Sequence, residues 1–371
     1  MAAAPPELGE PIPGLTIALA VILVLVLVLP FASRRVEENL EPFFLAMGLV
    51  GVAVTYHYGI LDGEGLRELA VKAIKTPLSV SGLPVGITQA VFIFGLIFLY
   101  YHPVIYRMLD RMIRRVGLTL FTFIFITVLG MISSVISVIV TAVILSEVVA
   151  ALKMPRGAKI RFTIYAAFAL GLGAALTPIG EPLSTIAVSK LNAPFDYLLR
   201  LLGAYVIPGV IGVAAVASLS MRRYASQVEG VSATYGETLR DVVERTVRVF
   251  VFVAALELLG YSFTPMVVWY FSKLDPAVLY WVNTISAVVD NATLAAAEIG
   301  PYLSEEQIRS ALMSLLVSGG MLIPGNIPNI VAAGRLKITM KEWARLGVPF
   351  GAALLIIYFI VIEVLGIHIT L

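Results

Sequence analysis

Residues 118–152 read LTLFTFIFITVLGMISSVISVIVTAVILSEVVAAL. A bilayer is crossed by about 20 apolar residues, so this stretch is too long for one crossing, and Ser133, Ser134 and Ser137 interrupt it near the middle. Its flanks decide its path. Arg107, Arg111, Arg114 and Arg115 precede it, and Lys153, Arg156, Lys159 and Arg161 follow it. Cytoplasmic flanks carry the excess of Lys and Arg, so both ends are expected inside, and a re-entrant hairpin satisfies length and charge together.

Working outward, residues 276–301 repeat the problem with the opposite sign. The segment is short and has Asp290 and Asn291 near its centre, and its flanks are acidic: Asp275 before it, Glu305 and Glu306 after it. Arms of about 12 residues at roughly 1.5 Å per residue reach about 18 Å, the midplane, so a second hairpin is expected to enter from outside. Each hairpin precedes an apolar segment broken by two prolines. The first, 160–191, carries Thr177-Pro178-Ile179-Gly180-Glu181-Pro182, and the second, 308–334, carries Ile323-Pro324-Gly325-Asn326-Ile327-Pro328. Proline and glycine unwind helices at such points.

The remainder of the chain fits a polytopic all-α membrane protein. It has 371 residues, 59% hydrophobic and 13% charged, with mean hydropathy +0.96, against about 25% charged in an ordinary soluble domain. Clean crossings are expected at 15–32, 43–60, 85–101, 203–221, 243–260 and 347–366. The first is read as a retained span, because Arg34 and Arg35 follow it without a small-residue cleavage site. Residues 63–75 mix charged and apolar positions, the pattern of an amphipathic helix lying in the outer interface. Basic loops at Arg34/Arg35, 107–115, 153–161, 222–248 and 335–345 place both termini outside. The formal charge of +2 gives no reason to expect nucleic acid as a partner. The absence of cysteine removes disulfides, thiolate metal sites and cysteine nucleophiles.

The two halves match in order. Ser134, Thr141 and Glu147 in the first hairpin correspond to Ser286, Thr293 and Glu298 in the second, and Pro178 to Pro182 corresponds to Pro324 to Pro328. With opposite orientations deduced from charge, this is the signature of an inverted repeat, as in many secondary transporters. The expected organisation is N-terminal scaffold spans and interfacial helix at 1–84, repeat one at 85–221, a cytoplasmic linker at 222–242 and repeat two at 243–371.

Non-helical backbone at membrane depth requires protein or water around it, so four interruptions near the midplane imply a cavity. The cavity would be lined by Glu181, Asp290, Asn291, Ser184, Thr185, Asn326, Asn329, Thr177, Ser134, Ser137, Ser286 and Thr293, the oxygen-rich set that suits a hard cation such as sodium. Glu181 and Asp290 are its charged members. An intramembrane acid costs at least ~2.5–3.5 kcal/mol, which an ion or a proton would offset. Two such acids repel when both are ionised, which suits alternate occupancy by a metal cation and protons. Glu147 and Glu298 lie toward the ends of their arms, where interface and site are equally near. Glu257 and Glu363 read as interfacial anchors, and Trp269, Trp281, Trp343, Tyr100, Tyr101 and Tyr302 as aromatic belts. His57, His102 and His368 fall at span ends, which disfavours a histidine relay, a His-based metal site or a zinc hydrolase. No cofactor is expected, and the function class is a transporter rather than an enzyme. Inverted hairpins argue against a channel, which needs a continuous pore.

These residues resemble the ion transporter superfamily, which includes NhaD-type sodium/proton antiporters, arsenite permeases and divalent anion/sodium symporters. Residues 177–185 are similar to the proline-isoleucine-glycine-aspartate segment of the NhaD type, with Glu181 at the aspartate. Residues 286–291 are similar to its serine followed by aspartate-asparagine, and residues 319–329 to the glycine-rich broken helix that ends in asparagine. Val36 to Phe43 resembles the entry to the second span in a branch of cation transporters. The resemblance implies a homodimer in the cell membrane, elevator-type motion of hairpins and broken helices, and a site built from both repeats. The anion symporters carry serine-asparagine-threonine at each tip; this chain has Ser137-Val138-Ile139 and Asp290-Asn291-Ala292. An acid there repels an anion, so the expected substrates are sodium or lithium and protons. A sodium-coupled symporter of a small anion or oxyacid, or a divalent cation/proton exchanger, is the alternative.

Overall fold

Apolar runs with few helix breakers fold as helices, and breakers set where those helices end. The computed structural model of the chain describes residues 9–37, 39–78, 87–227, 230–231, 238–270, 274–289, 291–300, 303–367 and 369–371. The described residues are 84% helical, which leaves helix packing to build the fold. Among the described residues no strand forms, and the one isolated bridge joins Leu152 and Val231. The order is α1 (Pro13–Ala32), α2 (Arg34–Glu37), α3 (Leu40–His57), α4 (Gly63–Lys75), α5 (Ile87–Ile136), α6 (Val138–Ala151), α7 (Arg156–Ala174) and α8 (Pro182–Leu191). There follow α9 (Tyr197–Arg222), α10 (Leu239–Tyr270), α11 (Pro276–Val282), α12 (Asn291–Glu298), α13 (Glu305–Gly319), α14 (Ile327–Leu336) and α15 (Met340–Phe359). Among the described residues six helices, α1, α3, α5, α9, α10 and α15 with its one-turn π extension, are long and apolar enough to cross a membrane, the architecture of a multi-pass membrane protein.

Two positions shape the first half. Gly117 at φ +75° divides α5, a left-handed conformation that glycine adopts without a Cβ penalty. Ser137 at φ +76° separates α5 from α6, and its Oγ accepts from Ile139 N–H at 3.4 Å. The stretch 118–152 is therefore two helices meeting at a serine tip. Residues 276–300 are less regular: α11 tightens into a 3₁₀ turn over Asn283–Ala287 before α12 begins.

The basic segments expected as loops are mostly helix. Residues 107–115 continue α5, stabilised by an Asp110–Arg114 pair one turn apart at 2.6 Å, because arginine, methionine and leucine are good helix formers. Arg335 lies in the last turn of α14, which ends at Leu336, and α15 opens at Met340, so little of 335–345 is loop. The amphipathic segment 63–75 does form a helix, α4. Its Asp62 N-cap accepts from Gly65 N–H at 2.7 Å, and its Lys72 pairs with Glu257 of α10.

α7 and α13 form the centre. Residues 162–176 and 308–326 are buried without interruption, as expected of helices with no solvent face. α5, α6 and α9 pack on α7, while α11, α12 and α15 pack on α13. Each then breaks for seven residues, 175–181 and 320–326, and resumes as the ten-residue helices α8 and α14. The N-caps Glu181 (φ −154°, ψ 162°) and Asn326 (φ −155°, ψ 150°) share one conformation, and both helices end in a left-handed residue, Asn192 and Lys337. Corresponding positions differ by 145, whereas the proline pairs differ by 146. Proline takes the first helical position in α8 and the second in α14, so matching the prolines shifts the register by one.

α7 meets α5 with almost no gap. A Cβ on Gly173 would lie 1.8 Å from the carbonyl oxygen of Gly130, and neither backbone can move without its whole helix. Gly173→Ala is expected to cost at least the ~1–3 kcal/mol typical of overpacking, read as a lower thermal unfolding midpoint in detergent. An unchanged midpoint would contradict this close crossing.

Candidate functional site

The first break is held by hydroxyls that satisfy the carbonyls left without helical partners. Ser184 Oγ donates to Ala175 O at 3.2 Å, and Thr185 Oγ1 donates to Pro178 O at 2.5 Å. The serine tip docks on the same break: Val138 N–H donates to Gly180 O at 2.8 Å, and Thr177 Oγ1 donates to Ser134 O. Ser134 Oγ turns back to Met131 O at 2.8 Å. Five expected site residues, Ser134, Ser137, Thr177, Ser184 and Thr185, are thus brought together around 175–181, and their hydroxyl hydrogens are committed largely to backbone. Glu181, at the end of the break, is 2% exposed.

The second break gathers amides. Asn329 Nδ2 donates to Gly319 O at 2.8 Å and Leu322 O at 2.7 Å, and Asn326 Oδ1 accepts from Ile327 N–H at 2.8 Å. Asn291 also reaches Gly319, where a Cβ would lie 3.4 Å from Asn291 Nδ2. Asn291 Nδ2 and Asn329 Oδ1 are buried without a hydrogen-bond partner among the described residues, which leaves one donor and one acceptor at this break unsatisfied. Ser286 Oγ donates to Leu315 O at 3.2 Å. Asp290 and the side chain of Thr293 lie outside the described residues, as do Tyr302 and His368.

The two breaks are cross-braced. α6 packs on α14, and α12 packs on α8, so each return arm lies on the resumed helix of the other half. Asn326 also reaches across, since a Cβ on Gly171 of α7 would lie 2.7 Å from its Nδ2.

Asn329→Ala removes both braces on the second break. Buried groups that lose their partners cost ~1–3 kcal/mol each, so a loss of a few kcal/mol is expected in thermal unfolding. Asn329→Asp, which keeps an acceptor but no donor, is expected to do no better.

Sequence reading missed three parts of this region. Asn283 Nδ2 donates to Glu298 Oε2 at 3.1 Å and to Ser314 Oγ at 2.9 Å, a buried polar cluster beside α13. Glu298 is singled out in the sequence, but nothing in its local pattern points to Asn283 or Ser314 as its companions. Glu147 is fully buried, and its carboxylate meets Arg245 of α10 at 2.9 Å and Arg335 of α14 at 2.9 Å; it belongs to an ion cluster away from the breaks. Trp343 is no belt residue: it is fully buried, and its Nε1–H donates at 3.0 Å to the Gly320 carbonyl freed where α13 ends. Trp269 is buried too, donating to Gly9 O at 2.8 Å.

Residues 16–365 match the family described as "Protein of unknown function (DUF1646)", and the chain belongs to that family. No curated protein matches it.

Proposed function

We propose that this member of the DUF1646 family is a secondary active transporter that exchanges a monovalent cation, sodium or lithium, for protons. The observation that carries the reading is Glu181, a carboxylate 2% exposed at the end of a seven-residue helix break. Such an acid is a functional site by default when it lies within the apolar part of a membrane protein. Broken helices place carbonyls and helix N-termini beside one another, the combination with which transporters coordinate ions. Glu181 and Asp290 hold the cation and protons in alternation, while Asn291, Asn326, Asn329 and the hydroxyls of the first break supply neutral oxygens.

The finer architecture belongs to the same reading. Residues 118–152 and 276–301 are re-entrant hairpins of opposite orientation within an inverted repeat. The constant offset of 145 between the broken helices, and the crossed packing of α6 with α14 and α12 with α8, support this. The basic flanks lie in the cytoplasm and both termini outside, and the transporter works as a homodimer in the cell membrane by alternating access.

The test is proton flux in proteoliposomes on adding sodium, lithium, potassium or calcium. Sodium- or lithium-driven proton movement is the expected result, and a calcium response would name a divalent exchanger. If no cation moves protons, the antiporter reading fails, and pH-insensitive sodium uptake that depends on an added anion would select the symporter.

A further inference from the structure

A cavity of about 400 Å³ opens where α6 ends, α7 begins and α14 ends, remote in function from the neutral and acidic oxygens of the breaks. Arg156, Lys159, Arg335 and Lys337 line it, with Met154 and Ile160 as apolar wall. Arg156 is bidentate to Glu342 at 2.7 and 2.6 Å and also donates to Lys337 O at 2.8 Å. Arg335 is held by Glu147, which it shares with Arg245. Lys159 Nζ donates to the Ala150 carbonyl at 2.9 Å, and the charge facing Lys337 is Asp241 at the start of α10.

Five cations therefore gather against three carboxylates, and neither Lys159 nor Lys337 has a carboxylate within ion-pair distance among the described residues. Like charges repel when crowded, and the energy falls most if an anion enters among them. The forks of Arg156 and Arg335 are taken by Glu342 and Glu147, so a phosphate, whose several oxygens accept at once, would meet the outer N–H groups of these arginines and the mobile ammonium groups of Lys159 and Lys337. Basic pockets between membrane helices recognise anionic headgroups in this way.

We propose that this cavity binds a phosphate group, carried by an anionic lipid headgroup or by a free phosphate anion. Because Arg335 both lines the cavity and holds Glu147, the occupant sits one residue from the cluster that ties α6, α10 and α14 together. Cation transport is not needed for this site to exist.

The experiment is thermal unfolding of the purified full chain in neutral detergent, in two arms. One arm adds phosphatidylglycerol against phosphatidylcholine, and the other adds inorganic phosphate against chloride at matched ionic strength. In at least one arm the midpoint is expected to rise by about 3 °C or more, as ligand binding to the folded state requires. The rise is expected to fall by at least half in Lys159→Gln/Lys337→Gln, which removes two charges and breaks no carboxylate pair. A rise in the lipid arm alone identifies a headgroup; a rise with phosphate identifies a soluble anion. No rise in either arm, or an equal rise in the double variant, overturns the proposal.

Discussion

Glu181→Gln is expected to reduce cation-driven proton movement in proteoliposomes by at least a hundredfold while leaving the thermal unfolding midpoint within a few degrees of the parent. The substitution keeps size and one oxygen acceptor and removes only the charge and the proton-binding capacity. Glu181 caps α8 with extended backbone and without a side-chain hydrogen bond to the helix N-terminus, so the carboxylate is not what starts that helix. Losing a charged ligand to a cation forfeits a strong interaction that a neutral amide oxygen does not replace, and an amide cannot return a proton. Glu181→Asp is the informative companion. It restores the charge with a shorter reach, so residual flux with an altered preference between sodium and lithium is expected. Flux in Glu181→Gln equal to the parent would remove this residue from the transport site, whatever the protein carries.

The position of Glu181 at a helix break was legible in the sequence because proline and glycine inside a long apolar run admit few explanations. The pairing of the two breaks was legible for the same reason, although the proline spacing misplaces the register by one: Pro182 opens α8, while Ile327 precedes Pro328 in α14. Charge patterning described the basic stretches as loops, although most of their described residues are helical. Arg107 to Arg115 are helix formers, and only Gly117 stops them. Local patterns could not show what distant chain segments supply. Trp343 lies at a span edge in sequence and in the core in space, because the indole N–H meets the carbonyl that the break at Gly320 leaves open. The hydroxyls of Ser184, Thr185 and Thr177 were readable as oxygens near a site, yet their partners are largely backbone carbonyls. They shape the break as much as they line it.

The ion cluster is the larger omission, since Glu147 and its partner Arg335 stand 188 residues apart. It also yields the second large effect: Glu147→Gln is expected to destabilise the protein by about 3–5 kcal/mol, the cost of removing one partner from a buried ion pair. The carboxylate accepts from Arg335 through both oxygens, at 2.9 and 3.1 Å, and from Arg245 through one. Its loss leaves two guanidinium groups facing each other with little water. Arg245 is further confined by α5, where a Cβ on Gly95 would lie 2.9 Å from its Nη2. Arg335→Met should cost less, because Glu147 keeps Arg245 as its counter-charge. The order Glu147→Gln worse than Arg335→Met, read from unfolding midpoints, distinguishes charge balance from simple packing, which would penalise the larger arginine truncation more. Glu147→Leu/Arg245→Met/Arg335→Met should regain much of the loss, since apolar groups of similar volume often replace a buried ion cluster without penalty. If that triple variant is stable but its cation-driven flux differs from the parent's, the cluster does more than hold α6, α10 and α14 together. An unchanged flux would leave it a structural tie between return arm, resumed helix and scaffold.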